Sequence, residues 1–286
     1  LLKYGERKLE TIGNKMTIKI CLAGVTGWTG KKVAEAILQS EDLQLVSAVS
    51  RSAAGKQIHD LLNVKDHSIN FKISDSVEEA LQTAVDVFID YTSAAAVRAH
   101  VDCALAHKVC VIVGSSGLSA KDYEQIEEEA LSQSVGVISC GNFAITAALA
   151  KHFALVAAKF LPQREIIECA YEGKMDAPSG SARELAEALA KVKPNELGLP
   201  IEKTVGDKNA RGAQIAGTPV HSVRLPSYTA GFETIFGLPG ERICIKHEAG
   251  QGAEPYVEGT LLAIRKVQQI KGLVRGMDTL LFGESA

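Results

Sequence analysis

Eight residues, Lys174-Met-Asp176-Ala-Pro178-Ser179-Gly180-Ser181, set a cation, two hydroxyls and a glycine just ahead of a helical pattern that runs to Lys193. A loop ending in Pro-Ser-Gly-Ser before a run of Ala, Leu and Glu leaves several backbone N–H groups at a helix start without partners in the chain. Such a place holds an anion. Ser179 and Ser181 add hydroxyl donors, and Lys174 supplies positive charge or a proton. The chemistry on offer is capture of a carboxylate with an acid beside it. The same residues also describe an ordinary capped helix, with Ser179 as N-cap, Glu184 near its first turn and Lys174 in solvent. From this segment alone both readings stay open.

A second stretch could bind rather than react. After the β-rich run 17–23 the chain reads Gly24-Val-Thr26-Gly27-Trp28-Thr29-Gly30, and a helical face follows with Val33, Ala34, Ile37 and Leu38. Glycines spaced this way between strand and helix let a dinucleotide pyrophosphate reach main-chain N–H groups at the helix start. A tight strand-to-helix turn that binds nothing has the same spacing. The second strand, 44–50, ends in Ser50-Arg51-Ser52 with Lys56 close behind, where a carboxylate would grip the ribose of NAD. A hydroxyl and an arginine suit a 2′-phosphate better, which favours NADPH while leaving NADH possible. A solvated surface arginine is the plain alternative for Arg51.

These residues need a scaffold, and the first half supplies a regular one. Apolar runs at 85–91, 109–113 and 135–140 alternate with helical patterns at 94–107 and 120–133, which predicts a doubly wound parallel sheet of Rossmann type. Loops at the strand ends, Asp90-Tyr91-Thr92-Ser93, Gly114-Ser115-Ser116-Gly117 and Gly141-Asn142-Phe143, fall where ligands of such sheets collect. Asn142 suits a carboxamide or a substrate oxygen, although loop Asn and Gly also serve turn geometry.

After Asn142 the rhythm changes. A long helix (145–161), a strand (165–170), the helix from Ser179, a polar stretch (193–217), three β-rich runs (220–225, 233–238, 242–248) and a helix (256–270) predict an α+β substrate and oligomerisation domain with an open mixed sheet. The expected division is an arm over residues 1–15, a dinucleotide-binding domain over 16–144 completed by 260–286, and the second domain over 145–259. A free sheet face or edge predicts a homo-oligomer. His221 and His247, inside these strands, read as core or interface residues rather than catalysts.

Composition bounds the rest. The 286 residues are 46% hydrophobic with net charge −3, which gives no electrostatic reason to expect nucleic acid or an anionic membrane. No apolar run approaches the roughly 18 to 20 residues of a membrane span. The six cysteines lack CxxC spacing and the seven histidines lack HxH or HExxH pairs, so neither a disulfide frame nor a metal site is expected. A reducing, cytoplasmic compartment follows from that cysteine usage. Residues 1–15 lack the apolar core of a signal peptide, and Met16 reads as a plausible start.

From residue 17 on the chain resembles the bacterial 4-hydroxy-tetrahydrodipicolinate (dihydrodipicolinate) reductases of lysine and diaminopimelate biosynthesis. The resemblance rests on Cys21-Leu-Ala-Gly24 and its glycine turn, Val87-Phe-Ile-Asp90-Tyr-Thr92, Gly114-Ser-Ser-Gly117, Gly141-Asn-Phe143, Ile166-Ile-Glu168, His221-Ser-Val-Arg224 and Gly240-Glu-Arg242 through His247. The Lys174-Met-Asp-Ala-Pro-Ser-Gly180 string is its most specific part. It implies a homotetrameric enzyme that uses NADPH or NADH to place a hydride on a cyclic, conjugated imine dicarboxylate. Lys174 would then be the proton donor, and Ser179, Gly180 and Ser181, with Asn142 nearby, would hold substrate. Gly24, Thr26, Gly27, Trp28, Thr29, Gly30, Ser50, Arg51, Thr92, Gly114, Ser115, Ser116, Cys140, Gly141, Asn142 and Phe143 would line the cofactor.

One departure matters. Where the family carries a paired histidine this chain has Ala170-Tyr171, with Gly173 following, and the Gly-x-His expected after Arg224 is Ala230-Gly231-Phe232. Either Lys174 acts as sole acid, helped by the Tyr171 hydroxyl, or the pocket serves another carboxylate-bearing imine. A catalytically silent NADPH-binding protein is the third reading, and it leaves Lys174 without a purpose.

Overall fold

The computed structural model of the protein describes residues 17–63 and 69–283; the expected arm over residues 1–15, and Met16, lie outside them. In chain order the elements are β1 (Ile18–Ala23), α1 (Trp28–Leu38), β2 (Leu43–Val49), α2 (Ile58–Leu62), α3 (Val77–Ala80), β3 (Val87–Asp90), α4 (Val97–Ala106), β4 (Cys110–Val113), α5 (Ala120–Gln133) and β5 (Gly136–Ser139). Then come α6 (Ile145–Phe160), β6 (Gln163–Ala170), α7 (Gly180–Val192), β7 (Ala213–Ile215), β8 (Thr218–Arg224), β9 (Ala230–Leu238), β10 (Glu241–Ala249), α8 (Glu254–Val267), β11 (Gly272–Arg275) and α9 (Met277–Phe282).

Strands β3 and β5 are buried at every position, as strands covered on both faces must be. They belong to a six-stranded sheet of order β2-β1-β3-β4-β5-β11 in which every neighbouring pair is parallel. On one face Ile20, Leu22 and Ile89 pack with Val33 and Ile37 of α1 and with Leu261 and Ile264 of α8. On the other, Cys21, Phe88 and Val111 meet Val97 and Val101 of α4 and Ile126 of α5. Strand order reverses between β1 and β3, so the loops at their C-terminal ends part and leave a crevice.

The second sheet has the order β10-β9-β6-β8-β7, with β6 and β8 parallel and the other neighbours antiparallel. One face is covered by α6 and α7, whose Ala150, Ala154, Ala158, Leu185 and Leu189 lie against Ile166, Val220 and Phe236. Small residues on α6 let the two helices sit close to the strands and to each other.

Two expectations need correction. Helix α1 begins at Trp28, within the glycine stretch that was expected to precede the helical face, because the glycine turn itself forms its first turn. The polar stretch 193–217, expected without elements, holds two short 3-10 helices, Ile201–Lys203 and Lys208–Arg211, and the edge strand β7. Strand β7 has only three residues, too few for the period-2 pattern by which strands are read.

Candidate active site

The glycine turn is shaped by clearance. Gly24 takes φ +86°, and a Cβ there would run into the Tyr91 carbonyl; one on Gly30 would strike the carbonyl of Gly24. Gly27 N–H donates to the Gly24 carbonyl (2.8 Å), and no side chain caps α1. Main-chain donors at that helix start are therefore left for a ligand, as a pyrophosphate requires. At the neighbouring strand ends Thr26 Oγ1 and Ser50 Oγ lie 2.9 Å apart, with Ser52 Oγ 3.2 Å from Ser50, and Arg51 is exposed beside them.

Asp90 sits beneath the next two loops. It is fully buried, and it accepts from Thr92 N (3.0 Å), Thr92 Oγ1 (2.8 Å) and Ser115 Oγ, with His100 Nδ1 at 2.7 Å. Burial by itself would raise the Asp90 carboxyl, but His100, Ser115 and Thr92 outweigh it and hold it below the ordinary carboxylate range. One buried charge thus ties the loop after β3 to the loop after β4. Gly114 has no room for a side chain because the Tyr91 ring fills that space. That ring is anchored by Tyr91 Oη to Thr260 Oγ1 at 2.6 Å.

Across the crevice, β6 delivers the loop that carries Lys174 and enters α7. Ser179 is the N-cap of α7, and its Oγ accepts from Ala182 N at 3.3 Å. Capping is therefore real. Lys174 nevertheless does not sit free in solvent, because its Nζ lies 2.7 Å from Asp176 Oδ1. That ammonium, with help from the Gly180 N–H, holds the Asp176 carboxyl below its usual range. An internal carboxylate thus stands between the lysine and the helix start.

The two sides meet around a crevice of about 670 Å³, a size suited to a small organic ligand. Of the residues expected from sequence, Trp28, Thr29, Gly114, Ser116, Cys140, Gly141, Asn142, Phe143, Lys174, Ser179, Gly180 and Ser181 line it. Gly24, Thr26, Gly27, Gly30, Ser50, Arg51, Thr92 and Ser115 are not in its lining; they form the glycine turn, the hydroxyl cluster and the tied loops. The Asn142 oxygen accepts from Ala144 N (2.8 Å), so its NH2 group is what it offers a ligand. Burial pushes the Cys140 thiol up to about 12, which keeps it neutral and unreactive.

Tyr171 does not join this lining. It is 52% exposed, and its ring lies beside Gly173. Tyr171 stands one residue beyond the end of β6, and Ala170, the last residue of that strand, is the one that lines the crevice. The expected help from its hydroxyl lacks a geometric basis.

Several lining residues were not expected at the site, among them Glu168, Phe232 and His247. Glu168, buried between strands, carried no local signal. Phe232 stands where the Gly-x-His of the resemblance places its histidine. His247, read as a core or interface histidine, lines the crevice with its Nδ1 3.1 Å from Thr146 Oγ1, and burial lowers its pKa, so it is neutral near pH 7. A strand-periodicity count places Glu168 and His247 on the helix-covered face, and pairing with Phe232 sets the three in one row. His221, by contrast, is satisfied by Glu165 Oε2 at 2.8 Å. Among the described residues one group could ligate a metal, Glu78 with Cys103 and His107, and it lies outside the crevice.

A parallel sheet with a glycine turn, facing a second sheet that presents a lysine and a helix start across one crevice, defines a two-domain nicotinamide-dependent oxidoreductase. Residues 18–143 match the family model of the dihydrodipicolinate reductase N-terminus and residues 143–281 that of its C-terminus, so the chain belongs to the dihydrodipicolinate reductase family. It is 37% identical over 265 residues to the 4-hydroxy-tetrahydrodipicolinate reductase of Desulfitobacterium hafniense, covering 92% of this chain and 98% of that relative. Against the enzyme of the same name from Moorella thermoacetica the identity is 35% over 266 residues, covering 93% and 98%. A dipicolinate-bound dihydrodipicolinate reductase from Paenisporosarcina sp. TG-14 superposes with TM-score 0.80 at 31% identity, covering 93% of this chain and 100% of that one. An amine dehydrogenase from Mycobacterium smegmatis, at TM-score 0.64 and 16% identity, shares the fold.

Proposed function

We infer that the protein reduces 4-hydroxy-tetrahydrodipicolinate, with Lys174 as proton donor and the Ser179–Ser181 segment as the seat of a substrate carboxylate. The observation that carries this reading is that Lys174, Ser179, Gly180 and Ser181 share one crevice with Gly114, Asn142 and Phe143 from the cofactor side. The residues present fit a nicotinamide dinucleotide, because a Cβ on Gly24, Gly30 or Gly114 would close the approach that the missing side chains leave open. When bound, that cofactor supplies the hydride. The glycine turn holds its pyrophosphate on main-chain N–H groups, and Asn142 offers NH2 to its carboxamide.

On the other wall, Gly180 and Ser181 donate to the incoming carboxylate, which displaces Asp176 from Lys174. Once the 4-hydroxyl of the substrate has left as water to give the conjugated imine, the freed ammonium gives its proton to the ring system that receives the hydride. Neutral His247 and buried Phe232 exclude water from that end. Arg51 and Ser50 make NADPH the preferred partner, with NADH accepted. A homotetramer in the cytoplasm completes the proposal. Leu238 and Ile243, exposed on the paired strands β9 and β10 at the edge of the sheet, support self-association. Among the described residues no helix is long and apolar enough to cross a membrane.

A second reading, reduction of a different imine acid, draws on Ala170 and Ala230, which leave free room where larger side chains would fit. The test is direct. The purified protein should consume NADPH when given freshly made 4-hydroxy-tetrahydrodipicolinate, and pyridine-2,6-dicarboxylate should inhibit competitively. Tight NADPH binding without consumption would sink the first reading and leave the second.

A further inference from the structure

We propose that Arg224 and Glu168 are positioning residues: together they clamp both limbs of the loop between β6 and α7, and so fix Lys174 relative to the carboxylate seat. The proposal rests on the roles given above to Lys174 and to Ser179–Ser181.

The register puts the pair in place. Strand β8 ends at Arg224, directly opposite Ala170, where β6 ends. From there the guanidinium reaches over the departing loop. Its Nε donates to the Lys174 carbonyl (3.3 Å) and its Nη2 to the Asp176 carbonyl (2.6 Å), while Nη1 donates to the Val223 carbonyl (2.9 Å). The outgoing limb is therefore held by a charge brought in from 50 residues further along the chain.

Glu168 holds the returning limb. Its Oε1 accepts from Arg224 Nη2 at 2.7 Å and from the Ser179 N–H at 3.3 Å. The residue is 1% exposed, and a carboxylate so placed needs its cation. One oxygen thus links the guanidinium that grips Lys174 and Asp176 to the amide that opens the carboxylate seat. Because Ser179 spends its N–H on Glu168, the main-chain donors left for substrate are that of Ser181 and, once Asp176 is displaced, that of Gly180.

Only a planar fork serves here. An ammonium in place of Arg224 would keep the charge beside Glu168 but could not span the carbonyls of Lys174 and Asp176 in one plane. The Arg224 guanidinium grips main chain and stands outside the crevice lining, so it acts by geometry. A misplacement of about 1 Å at a reacting group can cost about 10²-fold in rate.

The experiment compares Arg224→Lys with the parent protein and with Lys174→Ala. Three quantities are read: NADPH affinity by fluorescence, pyridine-2,6-dicarboxylate affinity by calorimetry on NADPH-loaded protein, and kcat with 4-hydroxy-tetrahydrodipicolinate. Arg224→Lys should weaken dicarboxylate binding about tenfold and lower kcat about 10²-fold with NADPH affinity unchanged. Adding Lys174→Ala to Arg224→Lys should cost far less than Lys174→Ala alone, since a displaced lysine has little left to lose. Near-isosteric Glu168→Gln should move the same quantities in the same directions, and it carries the test if Arg224→Lys fails to fold. Parent-like dicarboxylate affinity and kcat in either folded variant would overturn the clamp, as would full additivity with Lys174→Ala. If the parent binds both ligands but turns nothing over, the assigned reaction falls, and dicarboxylate affinity alone then judges the clamp.

Discussion

On the cofactor side of the crevice the main chain comes close because side chains are missing. Gly24, Gly30 and Gly114 each stand where a Cβ would strike a carbonyl or the Tyr91 ring. On the substrate side the opposite holds: the loop is held by long charged side chains, with Arg224 and Glu168 pinning its carbonyls and an amide, and Lys174 resting on Asp176. The cofactor wall is thus built on backbone shape, whereas the substrate wall depends on charge and on contacts between distant strands. Damage to one should leave the other's ligand bound, and that separation can be tested.

The largest separation is expected from Lys174→Ala. It removes the proton donor without touching the sheet that binds nucleotide, so kcat should fall by about 10² to 10⁴ while NADPH affinity stays within about twofold. Stopped-flow turnover and fluorescence titration check the two halves. A matching loss of NADPH affinity would show that the walls are coupled after all.

Gly24→Ala attacks the other wall. The new methyl meets the Tyr91 carbonyl, and φ of +86° is strained for any L side chain, so about 2 to 4 kcal/mol of stability should go along with most NADPH affinity. Calorimetric binding of pyridine-2,6-dicarboxylate to the folded fraction should persist. Its loss would mean that the cradle depends on the turn.

The same contrast explains what could be read in advance. Glycine spacing is local, and the strand runs around Phe88, Val111 and Val137 are apolar enough to announce a buried parallel sheet, so the cofactor half was legible from residue order alone. Lys174 and the Ser-Gly-Ser helix start were legible for the same reason, since all lie within eight residues. Glu168 and Arg224 were not, because their partnership spans 56 residues and exists only through β6–β8 pairing. His247 is buried and satisfied by Thr146, as a core histidine should be, but an isolated strand residue gives no local sign that its face borders the crevice. Tyr171 was misplaced because it stands one residue beyond β6, where no strand pattern says which way a side chain turns.

A smaller effect sharpens the comparison within the cofactor wall. Arg51 is an exposed side chain beside the Thr26, Ser50 and Ser52 hydroxyls, and it is the one long cation proposed to act there by charge rather than clearance. Arg51→Ala should raise the NADPH KM about tenfold, the share of a single charge-assisted contact to phosphate, and leave the NADH KM unchanged. Equal changes for both cofactors would remove Arg51 from 2′-phosphate recognition.

The smallest effect is expected at Tyr171, the residue that follows β6 as the chain enters the Lys174 loop. Ala170 ends the strand and lines the crevice, with Arg224 opposite it in the ladder. Half-exposed, with its ring beside Gly173, the Tyr171 phenol lies outside the crevice lining. Tyr171→Phe should therefore change kcat and kcat/KM by less than about twofold, since no proton-transfer contribution of 10² or more is there to lose. A drop of tenfold or more, with the acid limb of the pH profile displaced, would require the loop to swing its phenol inward once substrate binds. That result would also count against a loop held rigid by Arg224, so one conservative substitution bears on both walls of the site.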